Sequence, residues 1–176
     1  VKPYITDSIQ YFFSQHIMDK FQILYDDDGA GEIADLIGIN DDENHINVYL
    51  YHLKFAKEGA ISNQISNFYE VCGQAQKSLK WNSREKHRDF ISRLFARMTK
   101  RYNGQECSRL LKGTQDDLEA INSQINWKKD IKMHIAIVQP ALSASNPSSD
   151  ILNLLGAVAT YIKDYSNIDI EVFCSK

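Results

Sequence analysis

Residues 46–55 form the run Ile46-Asn47-Val48-Tyr49-Leu50-Tyr51-His52-Leu53-Lys54-Phe55, mostly apolar or aromatic. A run of this kind predicts a long central strand of a sheet. The residues before it extend the same sheet. Phe21 to Tyr25 reads as a short strand and Ile33 to Ile39 as a second. Between them lies Asp26-Asp27-Asp28-Gly29-Ala30-Gly31, a turn rich in residues that tolerate positive φ. Asn40 to Asn44 is a polar hairpin loop. The three strands are therefore expected to form an antiparallel meander.

Helices are predicted around this sheet. Thr6 or Asp7 can cap a helix through about Asp19, with Ile9, Phe12, Phe13, His16 and Ile17 on one stripe. Two further helices are expected, from Ser62 to Lys80 and from Ser83 to Arg101. The polar stretch from Asn103 to Lys129 is ambiguous, with helical character around Gln115 to Ile125. Ile131 to Val138 reads as a strand, Pro140 to Pro147 as a loop of small residues, and Ser149 as the cap of a helix through Tyr165. Ile168 to Cys174 is a last strand. Strand, helix and strand at this spacing predict a right-handed parallel crossover. The expected fold is α/β: a mixed central sheet flanked by helices, one domain over residues 1–176. Its core spans about 6–138, and a C-terminal helix-strand elaboration occupies 139–176, completing an added C-terminal strand-helix-strand. A chain opening on Val1 reads as a domain cut from a longer protein, or as a processed one.

Composition narrows the function classes. No apolar run approaches the roughly 20 residues that cross a bilayer, and no signal-peptide pattern opens the chain. Cys72, Cys107 and Cys174 are widely separated and show no zinc spacing, which fits reduced thiols in a cytoplasmic protein. The net charge of −3 conceals a division. Residues 1–60 carry eleven acids and four Lys or Arg, whereas residues 77–112 carry eleven Lys or Arg and three acids. An acidic site beside a basic surface suits a metal-dependent enzyme acting on a polyanion; a solvated helix face has the same composition.

The candidate chemistry lies between Gly31 and Lys54. Alternation along a strand puts His52 and Lys54 on one face. A Lys in an apolar strand needs an anionic partner, and Asp35 on the preceding strand is the expected one. Glu32 lies three positions before Asp35. Either a bulge near Ile33-Ala34 brings the two acids together, or Glu32 reaches back from the turn. Arg93, Arg97, Lys100 and Arg101 fall on one stripe of the predicted helix 83–101, suited to holding nucleic-acid phosphates. Trp81 and Tyr102 are candidates to stack on bases or to join the core.

Gly31-Glu32-Ile33-Ala34-Asp35-Leu36 followed by His52-Leu53-Lys54 resembles the active-site hairpin of the PD-(D/E)XK nuclease superfamily, the restriction-endonuclease-like fold. The order helix, three-strand meander, helix, strand over residues 6–138 is similar to that superfamily's core. Together with Tyr69-Glu70-Val71-Cys72-Gly73-Gln74-Ala75-Gln76 and Ile137-Val138-Gln139-Pro140, the chain also resembles nuclease-like domains attached to bacterial DEAD/DEAH-box helicases of defence or repair loci. The resemblance implies a metal-dependent nuclease using Mg²⁺ or Mn²⁺ on nucleic acid, with DNA the expected substrate. Linked helicase domains and a homodimer are the further partners it admits. It implies Asp35 as principal metal ligand, helped by Glu32 and the Leu53 carbonyl, and Lys54 as the group that orients water and stabilises developing charge. His52 stands where the family carries an acid, and Ala34 is one residue more than the family's spacing. His52 is then a third ligand, a proton acceptor, or a contact to phosphate or water. A helix after the Lys strand supplies a Gln in several of these families; Gln74 is the counterpart here, with Glu70 four residues before it on the same face.

Other chemistries are excluded. Asp26 to Glu32 lacks the acid an EF-hand needs at its twelfth position, where Ile37 stands. Gly29-x-Gly31 has no following Lys-Ser/Thr, so it is no P-loop, and there is no nucleophile elbow. The alternatives to a nuclease are an inactive nuclease fold that binds nucleic acid and a purely structural domain.

Overall fold

A computed structural model describes residues 8–54 and 65–175. Helix α1 (Ile9–Ile17) is capped by Ser8, whose hydroxyl accepts the Tyr11 amide at 3.1 Å. The anticipated caps Thr6 and Asp7 lie outside the described residues. Strands β1 (Ile23–Asp26), β2 (Leu36–Asp41) and β3 (His45–Leu53) follow, then α2 (Ile65–Ser78), α3 (His87–Ala96), the hairpin β4 (Thr99–Tyr102) and β5 (Gln105–Ser108), and β6 (Leu110–Lys112). The chain continues through α4 (Gln115–Asn122), β7 (Asp130–Ser143), α5 (Ser149–Ser166) and β8 (Ile170–Ser175).

Six strands form one sheet in the order β6-β1-β2-β3-β7-β8. β6, β1, β2 and β3 pair antiparallel in series, while β7 runs parallel to β3 and β8 parallel to β7. The fold is mixed α/β, and the expected meander and C-terminal strand-helix-strand are both present. β3 is central because both its faces are covered. Ile46, Val48 and Leu50 point to the face roofed by α2, α3, α4 and α5, where Val71, Ala75, Phe90, Leu94, Leu118 and Ile162 are buried against them. Tyr51 and Leu53 point to the other face, under Phe13 and Ile17 of α1 and Phe21. Full burial of each such aliphatic side chain stabilises the fold by roughly 1.5–3 kcal/mol.

Gly38 sits where this second layer comes closest. A Cβ there would stand 2.6 Å from Cε1 and Cζ of Phe21. Gly38→Ala must displace a ring packed edge-on to Tyr51, and should cost about 1–3 kcal/mol. A lower urea midpoint at unchanged slope would show it; an unaltered midpoint would mean the ring moves freely.

Three sequence expectations are corrected and one is met. The helix predicted to Arg101 stops at Ala96, because Arg97 leaves helical geometry at φ −126°, ψ 25°. Lys100 and Arg101 therefore lie on β4, not on a helical stripe. Within the ambiguous stretch the helix expected around Gln115 to Ile125 is present as α4, with Thr114 and Asp117 forming a reciprocal capping box, and β5 and β6 precede it. β7 continues through Pro140 to Ser143, and its register with β8 shifts between Gln139 and Ser143, around a residue with no amide proton. Finally, β2 begins at Leu36 rather than Ile33. Residues 32–35 are taken up by a connection with its own hydrogen bonds.

Candidate functional site

The β1–β2 connection is an acidic loop that cannot hold itself together. Asp27 is fully buried, and a buried carboxylate needs a cation and donors. Its Oδ2 accepts the Ile33 amide at 2.6 Å and its Oδ1 accepts Nε of Arg97 at 2.7 Å. Arg97 also donates to the carbonyls of Asp27 and Ala30, at 3.0 and 2.9 Å. Arg93 donates to the Gly31 carbonyl. Lys100 reaches the Asp28 carbonyl and carboxylate, each at 2.7 Å, and Arg109 reaches the carbonyls of Asp26 and Asp28 at 2.9 and 3.1 Å. Four cations from α3 and the segment after it thus brace the loop from behind. Gly31 takes φ +79°, and a Cβ there would meet Arg93 Nη2 at 3.0 Å, so glycine is required by both backbone and bracing.

This bracing corrects the nucleic-acid stripe. Arg93, Arg97 and Lys100 are engaged with the protein's own carbonyls and carboxylates. Arg101 points away from them on β4, opposite Glu106 of β5. Trp81 is buried edge-to-face on Phe90 with ring centroids 5.8 Å apart, so it belongs to the core; Tyr102 is half-buried on the hairpin.

In front of the loop three carboxylates converge. Asp28, Glu32 and Asp35 each place an oxygen within 4.8 Å of the others. Glu32 comes beside Asp35 from the turn ahead of β2, the second of the two expected routes. Asp35 is fixed by the end of β3, its Oδ2 accepting the Leu53 amide at 2.8 Å while its own amide donates to the Tyr51 carbonyl at 3.0 Å. Glu32 accepts the Gly29 amide at 2.9 Å and Nε2 of Gln74 at 3.2 Å. Burial pushes the Asp35 carboxyl up to about 7, with the neighbouring Glu32 and Asp28 charges adding to it against the Leu53 hydrogen bond. Burial also raises Glu32.

The donors are all oxygens, which suits a hard divalent cation such as Mg²⁺ or Mn²⁺. Gln74 adds to the fit. Its Nε2 is on Glu32, while its buried Oε1 has no hydrogen-bond partner among the described residues. A cleft of about 360 Å³ opens beside the acids, lined by Gly29, Ala30, Gly31, Glu32, Ile33, His52, Gln74 and Lys77.

Two expected contacts are placed differently. Lys54 does not take Asp35 as its partner; its Nζ pairs with Glu70 Oε2 at 2.5 Å, one helical turn along α2 from Gln74. His52 lines the cleft but stands apart from the carboxylate triad. Its Nε2 lies 2.9 Å from Ser78 Oγ, which in turn donates toward the Ile33 carbonyl at 3.2 Å. Burial holds the imidazole down to about 4, so it is uncharged at neutral pH and ties β3 to α2 and the loop. Asp28, Asp27 and Ser78 were not singled out from the sequence. The local signal for the two acids is a run of three aspartates beside two glycines, Asp26 to Gly31.

The site is thus a cluster of three carboxylates at the end of β3 in a mixed α/β fold, with one of them, Glu32, lining the adjoining cleft. Comparison of the chain with protein-family models, with curated proteins and with solved structures finds no match. Among the described residues no helix is long and apolar enough to cross a membrane.

Proposed function

We propose that the chain is a metal-dependent nuclease domain of the restriction-endonuclease-like kind, hydrolysing phosphodiester bonds, with DNA the expected substrate and a helicase-like defence or repair protein the expected setting. The observation that carries this reading is the convergence of Asp28, Glu32 and Asp35 into one carboxylate cluster, whose Glu32 lines an open cleft, beside the end of the strand that Lys54 follows. The element order around the cleft (α1, the β1–β3 meander, α2, β7) supports the same superfamily.

Asp35, Glu32 and Asp28 would hold the cation, with Gln74 Oε1 as a further oxygen donor. When bound, the cation polarises a phosphoryl oxygen and acidifies water. The chain's own groups do the rest. The Leu53 amide fixes the Asp35 carboxylate in place. Lys54, released from Glu70 by an incoming phosphate, stabilises negative charge as it grows on the phosphoryl oxygens. His52 keeps the Ile33 end of the loop against α2 as a neutral, positioning residue rather than a ligand.

The binding-module alternative, a nuclease fold that has lost its activity with His52 where the superfamily carries an acid, would bind DNA and leave it intact. Incubation of plasmid and single-stranded DNA with the protein in Mn²⁺ or Mg²⁺ tests the catalytic reading. Wild type is expected to cleave, and Lys54→Ala to cleave about 100-fold more slowly or worse, as when one transition-state donor is removed. Intact DNA with wild type in both metals would refute it.

A further inference from the structure

Resting on the nuclease reading, one cation at the cleft has no partner of its own. Lys77 lies on α2, three residues after Gln74, and lines the same cleft as Glu32 and His52. Of the described residues lining that cleft it alone carries a positive charge. Its side chain is exposed, and among the described residues its ammonium makes no hydrogen bond or ion pair. The other cations around the acidic loop are committed. Arg93, Arg97, Lys100 and Arg109 grip it from behind, and Lys54 is held by Glu70. An anionic chain approaching three carboxylates is repelled unless a cation receives it. Helical spacing sets Glu70, Gln74 and Lys77 along one side of α2, so Lys77 stands beyond the metal-side groups rather than among them.

We infer that Lys77 is a phosphate-binding residue, receiving the phosphate that neighbours the scissile one and setting how a strand lies along α2. The substrate is gripped at the cleft by one backbone contact rather than across a broad basic face. Binding should therefore depend only weakly on salt, and Lys77 should account for much of that dependence. Each phosphate contact contributes a slope of about 0.7 on a single strand and about 0.9 on a duplex in log affinity against log salt.

The test is fluorescence anisotropy of a labelled single-stranded and a labelled duplex oligonucleotide in EDTA, over a range of NaCl, with wild type, Lys77→Gln and Lys77→Arg. Lys77→Gln is expected to weaken binding about fivefold at low salt and to make the slope shallower by about one contact, with Lys77→Arg restoring both. The affinity for Mn²⁺ alone, measured by calorimetry, should be unchanged by Lys77→Gln. An unaltered slope in Lys77→Gln while wild type binds and cleaves DNA would overturn the inference and leave the nuclease reading standing. A shallower slope in a wild-type background that leaves DNA intact in Mn²⁺ would do the reverse. Absence of any oligonucleotide binding by wild type at low salt would overturn both.

Discussion

Asp35→Asn is expected to be more stable than wild type at pH 8 in EDTA, by about 2–4 kcal/mol, and to lose all response to Mn²⁺. The reason is the carboxyl's position. It ionises near 3.8 in the unfolded chain and near 7 in the folded one. Between those values the folded state keeps a proton that the unfolded state has lost, so stability falls as pH rises through the window and the loss is complete above about 7. Asn keeps the acceptor for the Leu53 amide and removes the charge. His52 works in the opposite direction. Its folded value of about 4 lies below the ordinary 6.5, so its contribution is full above 6.5 and is lost as pH falls toward 4. The two opposing trends overlap between about pH 4 and 6.5, and the variant should uncover the rising His52 limb there. Mn²⁺ at pH 8 should stabilise wild type by mass action and leave the variant unmoved. Urea unfolding at pH 5 and pH 8, with EDTA and with Mn²⁺, reads all of this. A variant no more stable than wild type at pH 8 would show that the carboxyl is not held in the uncharged form.

Arg97→Ala should be the most damaging single change at the loop. The guanidinium is the closest cation to the fully buried Asp27 and also ties down two carbonyls. Arg109 stands 4.0 Å from Asp27 and cannot replace it. Removing one member of a buried ion pair leaves a bare charge in the interior and costs about 3–5 kcal/mol. Thermal unfolding should therefore drop sharply, and Mn²⁺ affinity should fall with it, since Asp28 and Glu32 belong to the same loop. A residue that only touched DNA would lower DNA affinity and leave both readouts alone. That outcome would restore the basic-stripe reading. The double variant Arg97→Met with Asp27→Leu, which removes both charges, should recover much of the lost stability.

The strands were legible because their apolar patterns are strong: Ile23 to Tyr25, Leu36 to Ile39 and Ile46 to Leu53 are buried nearly throughout. The acids Glu32 and Asp35 were legible as a pair, although their spacing fits no regular strand. What sequence reading missed was set by contacts distant in the chain. Arg93 and Arg97 look like a surface stripe beside Phe90 and Leu94, and only the placement of a loop some 70 residues earlier shows them facing inward. Asp28 has no periodicity to mark it, because it lies in a turn. The β4–β5 hairpin did carry a local signal. Asn103-Gly104, at φ 48° and 81°, is the dipeptide of a tight hairpin, but it falls between a segment that reads as helix to Arg101 and an ambiguous polar stretch.

The bracing of the acidic loop also orders events during biosynthesis. Until residues 93–109 have left the ribosome, the Asp27 to Asp35 segment lacks the cations that brace it in the fold, and its carboxylates repel one another. The cleft can exist only once the region around residues 93–109 has emerged and docked. The three-carboxylate cluster is thus a late product of maturation, assembled by the protein's own counter-charges.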